Sequence, residues 1–397
     1  MKHSGFNINN YTIHFFLITL LAFSCLLIYA FPNNITSDQT SILPLDSFSR
    51  FPPFRDGITT CLIFEIYKFV VHPPLEFINT HMRILVMLLY VASSYLLAIT
   101  ILKEKKYIYL FVLFLFSSRL PYLWLSRELI YGFFLCLAIL AFLKKWHPVL
   151  TSILLVCLAH AKPELVLVSV AFFVVLVEQY FRQRKTCFWV VFIFVGLNFL
   201  FLLPEITNHR IGHLGDRSFD SFGQHYADLF HKHQLTPLSD SFHESKDYIK
   251  VIFPKAKTMS DIILHYPSQY YDFLFLSLAH GFKRTVFLFH ILLLFVFIIF
   301  RYRRLDGGNN DLFQKLFFLS LVGYIPLILF SYPHVRYMAR YYPIVIIFIL
   351  SFVENFDGTK IQKKFVSGVL YAALGVNIFC FIYTLPQLTS MNYWFPD

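Results

Sequence analysis

"ELIYGFFLCLAILAFLKKWHPVLTSILLVCLAHAKPELVLVSVAFFVVLVEQYFRQRK" runs from Glu128 to Lys185. It contains three uninterrupted apolar runs, and two kinds of polar punctuation separate or end them. "KK" (144–145) and "RQRK" (182–185) are purely cationic, whereas "AHAKPE" (159–164) mixes His160, Lys162 and Glu164. Runs that are apolar on every side, with no strand-like alternation, predict helices buried in lipid rather than strands of an outer-membrane barrel. The alternation of cationic and mixed turns predicts that successive connections lie on opposite faces of the membrane.

The rest of the chain extends the pattern. Of 397 residues, 57% are hydrophobic and 14% charged, about half the charged fraction of a soluble domain, and the mean hydropathy is +0.61. Apolar runs near the ~20 residues needed to cross a bilayer recur throughout. They place spans at 13–31, 83–101, 107–119, 128–143, 148–160, 163–181, 187–204, 284–300, 313–331, 339–354 and 365–386. The expected fold is an all-α polytopic membrane protein with about 11 transmembrane helices.

Five short connections read "KEKK" (103–106), "KK", "RQRK", "RYRR" (301–304) and "KIQKK" (360–364). They hold fourteen Lys or Arg and one acid, Glu104. With eleven spans and a cytoplasmic N-terminus all five fall on one side, as the positive-inside bias requires. The first run is too long for a typical signal h-region, so it is expected to be a retained anchor, and the C-terminus is expected outside. The net charge of +11 thus reports topology and implies no nucleic-acid partner. Six cysteines (25, 61, 136, 157, 187, 380) show no CxxC or Cys/His spacing and are expected to behave as small hydrophobes.

Two outer segments are long. The first outer loop, 32–82, includes "GITTCLIFEIYKFVV" (57–71), whose amphipathic pattern predicts a helix lying on the membrane surface. The second, 204–283, is rich in His, Asp and Phe, and Pro267 interrupts its apolar helical part at 258–281. No internal repeat and no separate soluble domain is visible, so 1–397 is expected to form one transmembrane unit.

The unusual polar residues collect on the outer side. Asp38, Asp46 and Asp56 lie in the first loop, Arg119, Arg127 and Glu128 flank "SSRLPYLWLSRE", and His334, Arg336 and Arg340 lie in "YPHVRYMARYYP". Basic residues there oppose the orientation bias. A snorkelling anchor accounts for any one of them, whereas four clusters on one face point to an anionic ligand, since Arg grips phosphate oxygens in a bidentate fork. For the aspartates, loop solubility and helix capping compete with a role in chemistry. His209, His213 and "HKH" (231–233) lack a third ligand at fixed spacing, so a divalent metal is not supported and no cofactor is assigned.

These features together resemble the GT-C superfamily of integral-membrane glycosyltransferases. "SDQTSIL" (37–43) resembles its acidic motif, with Gln39 where a second acid is common. "LAHAKPELVLV" (158–168) resembles the Lys/Arg-Pro-Glu turn of bacterial PMT- or ArnT-like members, and "HVRYMARYYPIVIIFI" (334–349) resembles the RY-x-x-P segment before their late spans. The resemblance implies sugar transfer from a polyprenyl phosphate or diphosphate to a lipid or glycan acceptor, on the outer face of a membrane, the bacterial inner membrane under this reading. It implies Asp38 as the base, with Asp56 in reserve. Arg336, Arg340, Lys162 and Arg127 would face the donor phosphate, with His160 or His334 donating a hydrogen bond to it. Glu128, Glu164 and Asp46 would contact substrate.

"LSRELIYGFFLCLAIL" followed by "LLVCLAHA" is also similar to EpsG/Wzy-like polysaccharide polymerases. A transporter or flippase of a lipid-linked or anionic solute is the alternative from another class.

Overall fold

The computed structural model describes residues 10–30, 58–72, 78–117, 128–162, 165–181, 187–207, 219, 222–223, 225–227, 229–230, 249, 251–301, 309–330 and 335–384. Among them every regular element is helical. In chain order the helices are α1 (Asn10–Ala30), α2 (Ile58–Val71), α3 (Ile78–Ile101), α4 (Lys105–Ser117), α5 (Glu128–Leu143), α6 (Pro148–Ala159), α7 (Leu165–Phe181) and α8 (Cys187–Thr207). Then come α9 (Met259–His265), α10 (Pro267–Phe289), α11 (Leu294–Arg301), α12 (Asn309–Ser320), α13 (Tyr324–Phe330), α14 (Val335–Ala339), α15 (Tyr342–Glu354) and α16 (Lys360–Thr384).

The described parts of the expected spans fall on helical stretches, but those expected at 284–300, 313–331 and 339–354 are each divided between two α-helices, and the stretches differ in length. Four are long and apolar enough to cross a membrane: Thr80–Ile101, Pro267–Arg301, Asp311–Leu329 and Lys360–Tyr383. Shorter apolar stretches, among them Leu129–Leu143, Pro148–Ala159 and Tyr342–Glu354, pack beside them. The apolar surface is the stronger sign of a lipid environment. Phe188, Phe192, Val195 and Phe199 form an exposed stripe along α8, and Tyr271, Phe275, Leu278 and Phe282 form one along α10. Helices that are apolar both toward the core and outward belong in lipid.

Local chemistry sets the helix ends. Pro148 and Pro267 stand in the first turns of α6 and α10, where a missing N–H costs nothing. The break expected at Pro267 is therefore present, and the helix that follows runs on into the span expected at 284–300. α9 opens with a capping box, Thr258 accepting from the Asp261 amide and Asp261 from the Thr258 amide. α5 closes on Lys145 at φ 51°, with the Trp146 amide reaching back to the Ala141 carbonyl at 2.9 Å. That left-handed residue turns the chain toward Pro148 within a few positions.

The end of α3, the start of α4 and the end of α15 meet at one end of the bundle. Glu354, at the end of α15, accepts the backbone amides of Lys103 (2.9 Å) and Glu104. Lys315 donates to Glu178 at 2.7 Å, joining the middle of α12 to the last turn of α7. The other end collects α2, the 160–162 turn and α14. There the Thr59 amide donates to the His160 carbonyl at 3.2 Å, and the Tyr90 hydroxyl donates to the Ala339 carbonyl at 2.7 Å.

α2 buries one face and exposes another. Thr59, Ile63 and Tyr67 turn inward, while Ile66, Phe69 and Val70 are exposed. The described part of the long 204–283 segment is not loose chain. Phe222, Tyr226, Phe253 and Ile262 close over Tyr270 and Phe273 of α10, forming a second, mostly aromatic core.

Candidate functional site

α14 and the start of α15, "VRYMARYYP", are held at nearly every position. Met338 sulfur accepts from the Thr285 hydroxyl of α10 at 3.4 Å. The Ala339 carbonyl accepts from Tyr90 of α3. Tyr341 stacks on Tyr324 with ring centroids 4.5 Å apart. Tyr342 donates to the Phe114 carbonyl of α4 at 3.2 Å and stacks on Phe289. Four elements, α3, α4, α10 and α13, thus fix the backbone that carries Arg340.

Arg340 is 0% exposed. Its Nε donates to the Tyr337 carbonyl at 2.9 Å, and its guanidinium lies 5.7 Å from the Tyr131 ring centroid and 5.5 Å from that of Tyr341. Lys162, from the 160–162 turn, uses the same aromatic surface. Its Nζ is 5.2 Å from the Tyr131 centroid and 4.4 Å from the Tyr337 centroid. Tyr131 therefore serves two cations, one from the middle of the chain and one from near its end. Aromatic faces stabilise cations by about 0.5–2 kcal/mol each, and the planar guanidinium suits such stacking. Holding a buried Arg beside a second cation is nonetheless costly, because desolvation costs several kcal/mol per ion.

Gly132 makes the approach possible. A Cβ at this position would lie 2.5 Å and 2.8 Å from two carbons of the Tyr90 ring and 3.1 Å from the Arg340 Cα. Only a residue without a side chain lets α3, α5 and the Arg340 backbone meet this closely.

His160 follows the last residue of α6, in the turn leading to Lys162. Its Nε2 lies 3.0 Å from the Asn198 Oδ1 of α8. The Asn198 amide nitrogen donates to the Phe194 carbonyl at 2.7 Å, so Oδ1 is left as the acceptor and Nε2 carries the proton. The His160 carbonyl in turn seats the first turn of α2, by accepting from the Thr59 amide.

Of the residues expected at the site, Lys162 and Arg340 converge and His160 lies beside them. Glu128 and Arg336 are placed as backbone positions, Glu128 at the start of α5 and Arg336 within α14. Asp38, Asp46, Asp56, Arg127, Glu164 and His334 lie outside the described residues, as do His209, His213 and the 231–233 histidines. Among the described residues no three His, Cys, Asp or Glu side chains gather as metal ligands would.

Sequence reasoning passed over several members of the cluster. Tyr90 and Tyr131 are not singled out by it, and Tyr337 and Tyr341 enter only as part of the 334–349 segment. Arg83 read as the boundary of a span, yet it is buried at the start of α3. Arg284 read as loop or span edge, yet it lies on the buried stripe of α10, its Nε donating to His280 Nε2 at 3.2 Å. Among the described residues the buried charged side chains are these two and Arg340. An arginine inside an apolar run was the available signal.

Compared with known protein families, curated proteins and solved structures, the chain returns no match.

Proposed function

We propose that this protein is a membrane glycosyltransferase that moves a sugar from a polyprenyl phosphate or diphosphate to a lipid or glycan acceptor. The observation that carries the reading is the convergence of Lys162 and Arg340 on Tyr131, at the bundle end where α2 also docks. Eleven crossings, a cytoplasmic N-terminus and an outward-facing site belong to the same proposal. In a bacterium the membrane would be the inner one.

In this reaction an acceptor hydroxyl attacks the anomeric carbon. The bond from that carbon to the phosphate oxygen breaks, and its electron pair leaves with the lipid phosphate. Lys162 and Arg340 stabilise the charge that develops there, and such preorganised cations act most strongly where water is excluded. The acceptor proton passes to a carboxylate, assigned to Asp38 with Asp56 in reserve. α2 begins two residues after Asp56 and is seated on His160, which ties the first outer loop to the cation pair. A polymerase joining lipid-linked oligosaccharides would use the same chemistry with a larger acceptor.

The test is sugar transfer from a polyprenyl-linked donor by the purified protein in detergent, compared with Lys162→Ala, Arg340→Lys and Asp38→Asn. Loss of about a hundredfold or more in each variant is expected for groups acting on the transition state. Full transfer by Asp38→Asn removes the base assignment. Full transfer by both cation variants removes the site.

One observation favours a transporter instead. Pro267–Arg301 is interrupted at His290, which sits at φ 43°, and Asp311–Leu329 is interrupted at Leu321–Gly323. Broken helices are a transporter trait. Solute flux in proteoliposomes without lipid-sugar chemistry would establish that reading.

A further inference from the structure

Thr59 stands in the first turn of α2 and is 5% exposed. Its amide donates to the His160 carbonyl, two residues before Lys162. Its hydroxyl is buried with no hydrogen-bond partner among the described residues. Other helical threonines here behave differently. Thr19, Thr100, Thr151 and Thr285 each donate to the carbonyl four residues earlier, at 2.8–3.3 Å. In a first turn that carbonyl lies outside the helix, so the hydroxyl must look elsewhere. A buried donor left unmade is costly, and a first turn is also where a helix presents positive potential to an anion.

We infer that Thr59 is a further member of the phosphate site, its hydroxyl donating to a phosphate oxygen of the lipid-linked donor held by Lys162 and Arg340. This rests on the glycosyltransferase reading and names a contact that reading does not contain. Donor binding then joins the first outer loop to the cation pair directly. A bound phosphate oxygen would supply the acceptor that the hydroxyl lacks among the described residues.

The experiment measures binding of a polyprenyl monophosphate to the full-length protein in detergent, for the parent, Thr59→Val, Thr59→Ser and Lys162→Ala. Thr59→Val keeps the branched shape and removes the hydroxyl. It should weaken binding about tenfold, the loss of one hydrogen bond to a charged group. Thr59→Ser, which restores the donor, should stay within about threefold of the parent. Without ligand, Thr59→Val should melt no lower than the parent, because an unsatisfied buried donor has been replaced by a methyl. A residue with a merely structural role would not combine retained stability with weakened binding. Parent-like binding by Thr59→Val, with binding lost in Lys162→Ala, overturns the inference and leaves the reading intact. No binding by the parent overturns both. Competition arms use inorganic phosphate and phosphatidylglycerol. Displacement by either one at concentrations equal to the polyprenyl phosphate overturns the assignment to the lipid-linked donor.

Discussion

Replacing Gly132 with Ala tests the packing that creates the site. The added methyl would meet Tyr90 ring carbons at 2.5 and 2.8 Å and the Arg340 Cα at 3.1 Å, whereas carbons at rest sit about 3.5–4.0 Å apart. Something must move by roughly 1 Å. Tyr90 cannot yield cheaply, since its ring is fully buried and its hydroxyl is tied to the Ala339 carbonyl at 2.7 Å. Overpacking of this kind costs about 1–3 kcal/mol, and stretching the Tyr90 bond until that carbonyl is unsatisfied adds a further ~1–3 kcal/mol. Alanine returns about 1 kcal/mol through helix propensity. The expected net loss is about 3 kcal/mol, read by denaturation in detergent, with weaker polyprenyl phosphate binding because the Arg340 backbone is displaced. In a Tyr90→Ala background the same change should cost less than ~0.5 kcal/mol, a coupling that a double-mutant cycle isolates. Equal costs in the two backgrounds would mean that α3, α5 and α14 do not meet as described.

Tyr131→Leu should weaken polyprenyl phosphate binding several-fold while Tyr131→Phe does not, because the ring face and not the hydroxyl supports Lys162 and Arg340; equal affinities in the two variants would refute the shared platform. Lys145→Gly should stabilise the protein by roughly 0.5–1 kcal/mol, since glycine takes the left-handed turn without a Cβ penalty, and an unchanged or lower melting temperature would count against that geometry. Asp261 has its carboxyl pKa lowered, chiefly by the Lys257 amide and then by Thr258. With a folded value below the unfolded one, its stabilisation is complete above about pH 4 and disappears as pH falls through the lowered value. Hydrogen exchange across α9 should therefore quicken in acid for the parent, and Asp261→Asn should exchange fast at every pH.

Much of the plan was legible along the chain. The helical class, the helix at 58–71 and the break at Pro267 follow from local patterns, because hydrophobic period and turn chemistry act over a few residues. Lys162 and Arg340 were legible as candidates because cations at the ends of apolar runs are conspicuous. Their meeting was not. It depends on Tyr131, on the missing side chain at Gly132 and on anchors from α3, α4, α10 and α13, residues separated by tens to hundreds of positions and individually unremarkable. The structure also tied His160 to Asn198 and exposed the orphaned hydroxyl of Thr59. A sequence specifies which faces must leave water, and that is a sum of one-residue preferences. Which buried groups then touch is decided by mutual packing of several helices, a many-body outcome that no single stretch encodes.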